Sequence, residues 1–255
     1  HFDAAGEYTQ ALPYALVAAE RARRQFALAT AELNYRIAER GAEGADANTR
    51  YKIAAGLGDV LMLRGQYEAA QQQLEVAQRL ASDRVEQART WSKLGELAFK
   101  RGKGDEGNAA LEKGLKLLGR WVPDSNALRG LGALWELAVQ AGHTLLPQLW
   151  LSRRPLDDSE EDMLAVHLYS RLAYGYWYQR GRMAVLWAHL RELNIAERYP
   201  PTPELAQAYS EHSPVATVLP WYRRAIDYVS KSLEMRRHMG DVYGQGQSLH
   251  FYGLG

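Results

Sequence analysis

Hydrophobic positions recur with a helical period between residues 51 and 64. Ile53, Ala54, Leu57 and Leu61 follow the i, i+3, i+4, i+7 spacing of one helix face, and Gly58 lies among them. A glycine inside a helix costs about 1 kcal/mol relative to alanine. The pattern therefore predicts a helix that a neighbouring helix approaches closely at Gly58.

The segment that follows, residues 67–80, supplies the expected neighbour. It places Ala70, Leu74 and Ala77 on one face, and small side chains there let the helix axes approach to about 8–10 Å. Gly65, between the two segments, can adopt the positive φ that ends a helix. Together the two segments predict a self-packed antiparallel helix pair.

Similar turns recur along the chain. Residues 64–67 (RGQY), 101–104 (RGKG) and 180–183 (RGRM) each separate two amphipathic stretches, and residues 141–144 (AGHT) are interpreted as a fourth turn. The turn glycines, at positions 65, 102, 142 and 181, stand 37, 40 and 39 residues apart. This period is typical of stacked helix pairs that bury their apolar faces against their neighbours.

We therefore predict an all-α solenoid of antiparallel helix pairs, forming one array over residues 1–255. We expect the array to be truncated at both ends, because neither end supplies the polar cap that terminal repeats need. The predicted pairs are 10–42, 49–82, 85–120, 124–152, 159–197 and 203–240, with the start of a further helix at 242–255.

The first half of the chain resembles the tetratricopeptide-repeat family, which implies a right-handed superhelix. The match fades beyond residue 120, and Gly107 and Gly114 stand where the family usually has alanine. The matching positions of the second pair are Leu57, Gly58, Leu61, Tyr67, Ala70, Leu74 and Ala77. Those of the third pair are Trp91, Leu94, Gly95, Gly102 and Leu111.

A second resemblance covers nearly the whole chain. Residues 11–40, 198–212 (RYPPTPELAQAYSEH) and 240–248 (GDVYGQGQS) are similar to the helical region of large bacterial signalling ATPases. In that family an AAA-like or STAND nucleoside triphosphatase module precedes tetratricopeptide-like repeats, often joined to a serine/threonine kinase, nucleotide cyclase or histidine kinase. The resemblance implies a regulatory context rather than a catalytic site.

Helix starts are also marked in the second half. Ser159 is predicted to cap a helix whose first turn is acidic, and Thr202 with Pro203 repeats the device. The acidic run at residues 157–162 is interpreted as part of this cap. A catalytic carboxylate pair or a cation site is the alternative interpretation.

Charge and composition exclude several classes of function. The 31 lysines and arginines nearly balance the 30 aspartates and glutamates and are scattered among them, so a nucleic-acid groove is not expected. The chain has no cysteine, which excludes disulfides and thiolate sites. No apolar run approaches the about 20 residues that span a bilayer. We expect a cytoplasmic protein that binds neither nucleic acid nor membrane.

Motifs for catalysis are missing. The sequence has no G-x-x-x-x-G-K-[ST] phosphate loop and no kinase motif, and its seven histidines form no H-E-x-x-H or i, i+4 pair. Gly244 and Gly246 are interpreted as helix-packing glycines rather than a phosphate-binding turn. We expect no enzyme activity, cofactor or metal in this segment, although its parent protein could carry ATPase, kinase or cyclase activity elsewhere.

The predicted function is protein binding. The tetratricopeptide resemblance implies that the first helices line a concave groove, which would hold a protein or peptide partner, possibly the ATPase or output module of the same chain. The aromatic cluster at residues 169–187 is expected to be mostly core, with Tyr178 kept for binding. The predicted groove residues are Lys52, Asp59, Met62, Arg89, Glu96, Phe99, Leu168, Arg171 and Tyr178.

Such a segment would act as a non-catalytic sensor or scaffold of a multidomain signalling ATPase. Two alternatives stay open: a free-standing tetratricopeptide adaptor protein, and a helical-repeat enzyme with an unrecognised site. Binding of chaperone C-terminal tails is disfavoured, because the lysine-and-asparagine clamp for a terminal carboxylate is not found at the groove positions.

Overall fold

The computed structural model describes residues 1–215 and 221–253, and every regular element in these ranges is a helix. The all-α prediction is confirmed. The chain divides into two compact units, His1–Leu117 (unit 1) and Leu118–Gly255 (unit 2), which are described separately. The arrangement of all helix pairs in one solenoid stays a prediction.

Unit 1 consists of three helical hairpins that follow a short 3₁₀ turn at Asp3–Ala5. Its helices are α1 (Tyr8–Arg24), α2 (Leu28–Arg40), α3 (Ala47–Leu63), α4 (Tyr67–Leu80), α5 (Arg84–Lys100) and α6 (Gly104–Leu117). The hairpins are α1–α2, α3–α4 and α5–α6, and neighbouring hairpins pack through α2 against α3 and α4 against α5. The first helices also touch in sequence, α1 to α3 and α3 to α5.

The three hairpin turns of unit 1 share one backbone geometry. Gly65 and Gly102 have φ values of 76° and 73°, as predicted for helix-ending glycines. In the first hairpin Phe26 takes this left-handed position, with φ 56°. Ala27 N–H donates to Ala22 O at 2.9 Å there, and the equivalent bond closes the other two turns. The first turn thus has the repeat geometry without the repeat glycine.

Glycines allow the helices of two hairpins to approach closely. A Cβ placed on Gly58 would lie 2.9 Å from Leu74 Cδ2, and one on Gly95 would lie 3.0 Å from Leu111 Cδ2. Both distances are too short for an ordinary carbon contact. The predicted close packing at Gly58 is confirmed.

Unit 2 has a less regular order of helices. Its longer helices are α7 (Asn126–Leu145), α9 (Glu160–Gln179), α10 (Arg182–Ala196), α11 (Pro203–Ser210), α13 (Tyr222–His238) and α14 (Val242–Tyr252), and its short ones are α8 (Pro147–Trp150) and α12 (His212–Val215). The α9–α10 hairpin turns at Gly181, with φ 80°, as predicted. Helix α7 packs mainly against α10, while α13 packs against α11 and α14.

The predicted turn at residues 141–144 is wrong. These residues belong to α7, which continues to Leu145. Gly142 does not end the helix, because the buried face continues through it: Glu136, Gln140 and His143 fall at helical spacing on both sides. The predicted pair 124–152 is therefore one long helix followed by the four-residue α8.

Helix α7 buries several polar side chains and exposes several large apolar ones. Its buried residues include Arg129, Glu136, Gln140 and His143. Its apolar residues face solvent instead: Leu131, Leu134 and Trp135 are 63%, 62% and 66% exposed, and Leu128 is also exposed.

The two predicted caps differ. Thr202 Oγ1 accepts a hydrogen bond from Leu205 N–H at 3.1 Å, so this cap is confirmed. Ser159 occupies the predicted N-cap position, but its hydroxyl makes no capping bond and donates to Leu156 O at 2.7 Å. Asp162, from the same acidic run, is buried rather than part of an exposed cap.

The two glycines of α14 also differ. Gly244 is buried, and a Cβ there would meet the side-chain ends of Asp241 and of Arg236 on α13. A Cβ on Gly246 would meet no atom within 4 Å. The helix-packing interpretation stays a prediction for Gly244 and is wrong for Gly246.

Candidate functional site

A row of charged side chains connects the first helices of the three hairpins in unit 1. Asp59 on α3 lies between two cations: its Oδ2 accepts from Arg23 Nη1 of α1 at 3.3 Å, and its Oδ1 is 3.0 Å from Lys93 Nζ of α5. Arg23 also pairs with Glu20 at 3.1 Å, and Lys93 with Glu96 at 3.5 Å. These five residues form what we call the charged surface.

Two members of the charged surface, Glu20 and Lys93, have pKa values shifted toward their ionised forms. Burial opposes ionisation of Glu20, but hydrogen bonds from Tyr35 (2.7 Å) and Arg23 outweigh it and lower the pKa of Glu20. Burial likewise opposes the charge of Lys93, but the carboxylates of Glu96 and Asp59 raise the pKa of Lys93. Oppositely charged neighbours therefore favour the ionised forms of Glu20 and Lys93.

The predicted groove residues of unit 1 divide into two groups. Asp59 and Glu96 belong to the charged surface. Lys52 on α3 and Arg89 on α5 are exposed. Their role in binding stays a prediction.

Two other predicted groove residues of unit 1 are packing residues. Met62 is 2% exposed and belongs to the hydrophobic core with Leu57 and Leu61. Phe99 packs within its own hairpin, since a Cβ on Gly107 would lie 2.7 Å from its ring. The expectation that Met62 faces a groove is wrong, because helical register alone does not separate the edge of a helix face from its buried side. Phe99 is half-buried, and its role in binding stays a prediction.

In unit 2, helix α9 presents Arg171, Tyr174 and Tyr178 at helical spacing. Tyr178 is 71% exposed, and its ring lies edge-on to Tyr174 with 5.4 Å between centroids. The predicted groove residue Leu168 is fully buried, so its assignment is wrong. Of the clustered aromatics, the buried members are Tyr169, Tyr176 and Trp187, and the exposed members are Tyr174, Trp177 and Tyr178.

Helix α7 carries a further surface that sequence reasoning missed. Leu128, Leu131 and Trp135 are exposed at the 3,4 spacing of a helix-packing seam, with Leu134 beside them. We call these four residues the apolar stripe. The spacing was visible in the sequence, but an apolar face is ordinarily assigned to the core.

A cleft of about 410 Å³ lies between the end of α2 and the helices α3 and α4. Its lining includes the charged residues Glu39, Glu43 and Arg50 and the apolar residues Ile53 and Val76. Gln73 donates to Glu39 at 3.0 Å at this cleft. None of the predicted groove residues lines it.

A buried cluster of histidine and glutamate lies in unit 2. His189 and Glu192 stand one turn apart on α10, and Glu211 with His212 lies where α11 ends and α12 begins. His189 Nδ1 is 3.5 Å from Glu192 Oε2, and His189 Nε2 is 3.0 Å from His212 Nδ1. Within residues 1–215 and 221–253, His189, Glu192 and Glu211 form a group that could hold a metal ion, with their ligand atoms within 4.8 Å of one another.

Burial dominates the protonation of this cluster. It raises the pKa of Glu192 well above the ordinary range, and the nearby charge of Glu211 adds to the effect. Burial also lowers the pKa of His189, and the neighbouring His212 adds to this effect. Burial and the positive charge of Arg224 lower the pKa of His212 to about 3. A search for histidine pairs at i, i+4 does not find this cluster. The i, i+3 spacing of His189 and Glu192 is its one signal in the sequence.

No helix in the part of the chain that the structure describes combines the length and apolarity needed to cross a bilayer.

Comparison with known proteins leaves the family open. No protein-family profile matches the chain. No curated protein matches it either. Among solved structures, a similar chain is described as the crystal structure of BtubC (BKLC) from P. vanneervenii, with 15% sequence identity, 92% of each chain covered and a TM-score of 0.35. Similarity at this level assigns neither a fold nor a function.

Proposed function

We propose that this chain is a non-catalytic, protein-binding helical-repeat segment of a multidomain bacterial signalling ATPase, acting in the cytoplasm. Its repeats would form a right-handed tetratricopeptide-like solenoid. The observation that carries the binding role is the apolar stripe of α7, because exposed apolar side chains grouped on one face mark sites of protein association. The ATPase context rests on the sequence resemblance.

The apolar stripe suits a helical partner. Leu128, Leu131 and Trp135 repeat at the spacing at which a second amphipathic helix inserts its own apolar residues. Tryptophan is also among the residues that dominate the binding energy of interfaces. A partner helix with a complementary apolar seam would cover these side chains.

Lys52 and Arg89, on the helices that carry the charged surface, would contribute to partner orientation and association rate. Charges at the edge of an interface act more on partner selection and association rate than on affinity. Lys52 and Arg89 are exposed on α3 and α5, the helices that carry Asp59 and Lys93. A partner segment with acidic residues would match these two cations of unit 1.

Partner binding would regulate the parent protein by shifting the population of its docked states. A partner bound to the repeats would change the preferred docking of the array on the ATPase or output module, provided that it binds one docked state more tightly. In the parent protein, deletion of this segment should change ATPase or output activity, or its response to inducer. Activity and response that both survive the deletion unaltered would argue against this role.

The binding role can be tested with displayed peptides. A library of amphipathic helical peptides is selected on the chain, and the affinity of selected peptides is measured by fluorescence polarisation. The Leu131→Gln/Trp135→Gln variant should lose at least about tenfold in affinity, since two apolar anchors are removed. Lys52→Ala/Arg89→Ala should lose about fivefold, mostly at low salt.

A matched control separates these surfaces from general charge effects. Arg79→Ala/Lys116→Ala makes the same charge change at exposed positions on the second helices α4 and α6, and should bind like the unaltered chain. Selected peptides that bind all three variants equally would contradict binding at the apolar stripe and at Lys52 and Arg89. Failure to select any peptide would contradict the binding role itself.

A further inference from the structure

The carboxyl group of Glu192 is the starting point for a separate inference about unit 2. Its side chain is fully buried on α10, and neither oxygen has a hydrogen-bond partner among the described residues. Buried polar groups in folded proteins are nearly always paired, because an unpaired one is strongly destabilising. The Glu192 carboxyl group therefore needs either a bound proton or a nearby cation.

The surrounding atoms are arranged as a ligand set. Tetrahedral Zn²⁺ binds nitrogen and oxygen at about 2.0–2.1 Å, which separates two ligand atoms by about 3.4 Å. His189 Nδ1 and Glu192 Oε2 are 3.5 Å apart, which fits this separation. The third ligand atom, from Glu211, lies within 4.8 Å of the other two, so a side-chain movement of at most about 1.4 Å would complete the set.

The outer hydrogen bonds orient these ligands correctly. Nε2–H of His189 can donate to His212 Nδ1 at 3.0 Å, which leaves the Nδ1 lone pair of His189 directed at the carboxylates. Metal-binding histidines usually donate their second N–H in this way. Glu211 is held by Ser170 Oγ at 3.0 Å and by the amide of Gln207.

We propose that His189, Glu192 and Glu211 bind one divalent first-row transition-metal ion, with Zn²⁺ the best fit. The ion would balance the two carboxylate charges and fix α10 to the junction of α11 and α12. An imidazole and two carboxylates suit Zn²⁺, Mn²⁺ or Fe²⁺ and not a soft ion such as Cu⁺, and Zn²⁺ binds such donors more tightly than Mn²⁺. The competing state is a proton shared between Glu192 and Glu211.

Metal binding is tested by refolding, because the cluster is buried. The whole chain is unfolded in guanidinium with EDTA, desalted, and refolded with or without ZnCl₂. Bound metal is counted by elemental analysis, and affinity is measured by competition with a chromophoric chelator. We expect one Zn²⁺ per chain and a rise in Tm on loading.

The variants decide between a site and adventitious binding. Glu192→Gln keeps the shape of the side chain, and it should lower the affinity at least about tenfold and abolish the Tm rise. His238→Ala/His250→Ala removes two exposed histidines and should leave both unchanged. If Glu192→Gln does not refold, Glu211→Gln, at a half-buried position, gives the same readout.

The opposite results would overturn the proposal. These are a chain that refolds without binding Zn²⁺, or equal binding by the wild type and the glutamine variant. A site lost only in the His238→Ala/His250→Ala variant would assign the metal to surface histidines. None of these results bears on the peptide-binding surfaces, which use other residues.

Discussion

The interior of unit 1 is built mainly from alanine and leucine and contains few polar groups, whereas that of unit 2 contains many charged, amide and imidazole groups. In unit 1 the buried polar residues are Asp59, Thr90, Ser92 and Asn108. In unit 2 they include Arg129, Glu136, Gln140, His143, Asp162, His189, Glu192, Asn194, Glu197, His212 and Arg236. The two units therefore hold their helices together by different means.

The contact between α7 and α10 illustrates the second means. Glu197, just after α10, accepts hydrogen bonds from Gln140 at 2.7 Å and lies 2.6 Å from His143 Nδ1. Asn194 donates to Glu136 at 2.7 Å. Such buried networks fix one pairing of helices, because any other pairing would leave these groups unsatisfied. Unit 1 instead selects its pairing by shape, through glycine and leucine.

The largest expected effect comes from breaking a buried ion pair in unit 2. Asp162 accepts from Tyr199 Oη at 2.5 Å and pairs with Arg120 and, at 3.1 Å, with Arg154. Asp162→Ala leaves these groups without their acceptor and should lower the free energy of unfolding by about 2–4 kcal/mol at pH 7. Urea unfolding followed by tryptophan fluorescence reports mainly on unit 2, since Trp91 alone lies in unit 1.

The control and the pH dependence identify the cause. Asp158→Ala changes an exposed member of the same acidic run and should alter stability by less than about 0.5 kcal/mol. Burial alone would raise the pKa of Asp162, but Tyr199 and the two arginines outweigh it and lower that pKa.

A carboxyl group with a lowered folded-state pKa stabilises the fold above its unfolded pKa of about 3.9. That contribution is lost as the pH falls through the folded-state pKa. The difference between wild type and Asp162→Ala should therefore be constant from pH 7 to about 5 and shrink below about 3.9. A difference that persists in acid would show that the ionic interaction is not its source.

A smaller effect is expected from overfilling the interior of unit 1. Gly58→Leu forces a side chain against Leu74, and should cost about 1–3 kcal/mol through displaced packing. Faster hydrogen exchange of α3 and α4, with α13 unchanged, would place the loss in unit 1. A neutral result would contradict packing by close approach at this position.

An open glycine provides the matched control. Gly130 lies in α7, and a Cβ there would meet no atom within 4 Å. Gly130→Ala should therefore stabilise the chain by about 0.5–1 kcal/mol, because alanine loses less backbone freedom in a helix. If Gly58→Leu lowers the free energy of unfolding and Gly130→Ala raises it, the space around each glycine determines the effect of its replacement.

Unit 1 could be predicted from sequence because its packing follows its periodicity. Leu57, Leu61, Ala70, Leu74 and Ala77 were assigned to facing helix surfaces, and all are buried. The glycines at the turns have a local requirement, a positive φ, that is readable from residue type. Met62 was misassigned because it lies at the edge of that face, where register alone cannot separate groove from core.

Unit 2 could not be predicted in the same way because its buried faces are partly polar. Helix α7 buries Glu136, Gln140 and His143 and exposes Leu131 and Trp135, the reverse of the usual pattern. Only long-range partners make this burial favourable, and periodicity contains no information about them. Glu211 likewise meets His189 through the fold and not through a sequence motif.

The smallest predicted effect tests whether the left-handed turn residues of unit 1 contribute to stability in the same way. Phe26 holds a left-handed φ of 56° and is 74% exposed, so it bears backbone strain with little packing in return. Phe26→Gly should raise the free energy of unfolding by about 0.5–1 kcal/mol, after allowance for the greater freedom of glycine in the unfolded chain. Gly65→Ala, where a Cβ would meet no atom within 4 Å, should lower it by about 1 kcal/mol for the same backbone reason. Equal stability in urea for Phe26→Gly and wild type would mean that Phe26 contributes contacts that offset its strain, and that the first hairpin is not held by the same turn chemistry as the next two.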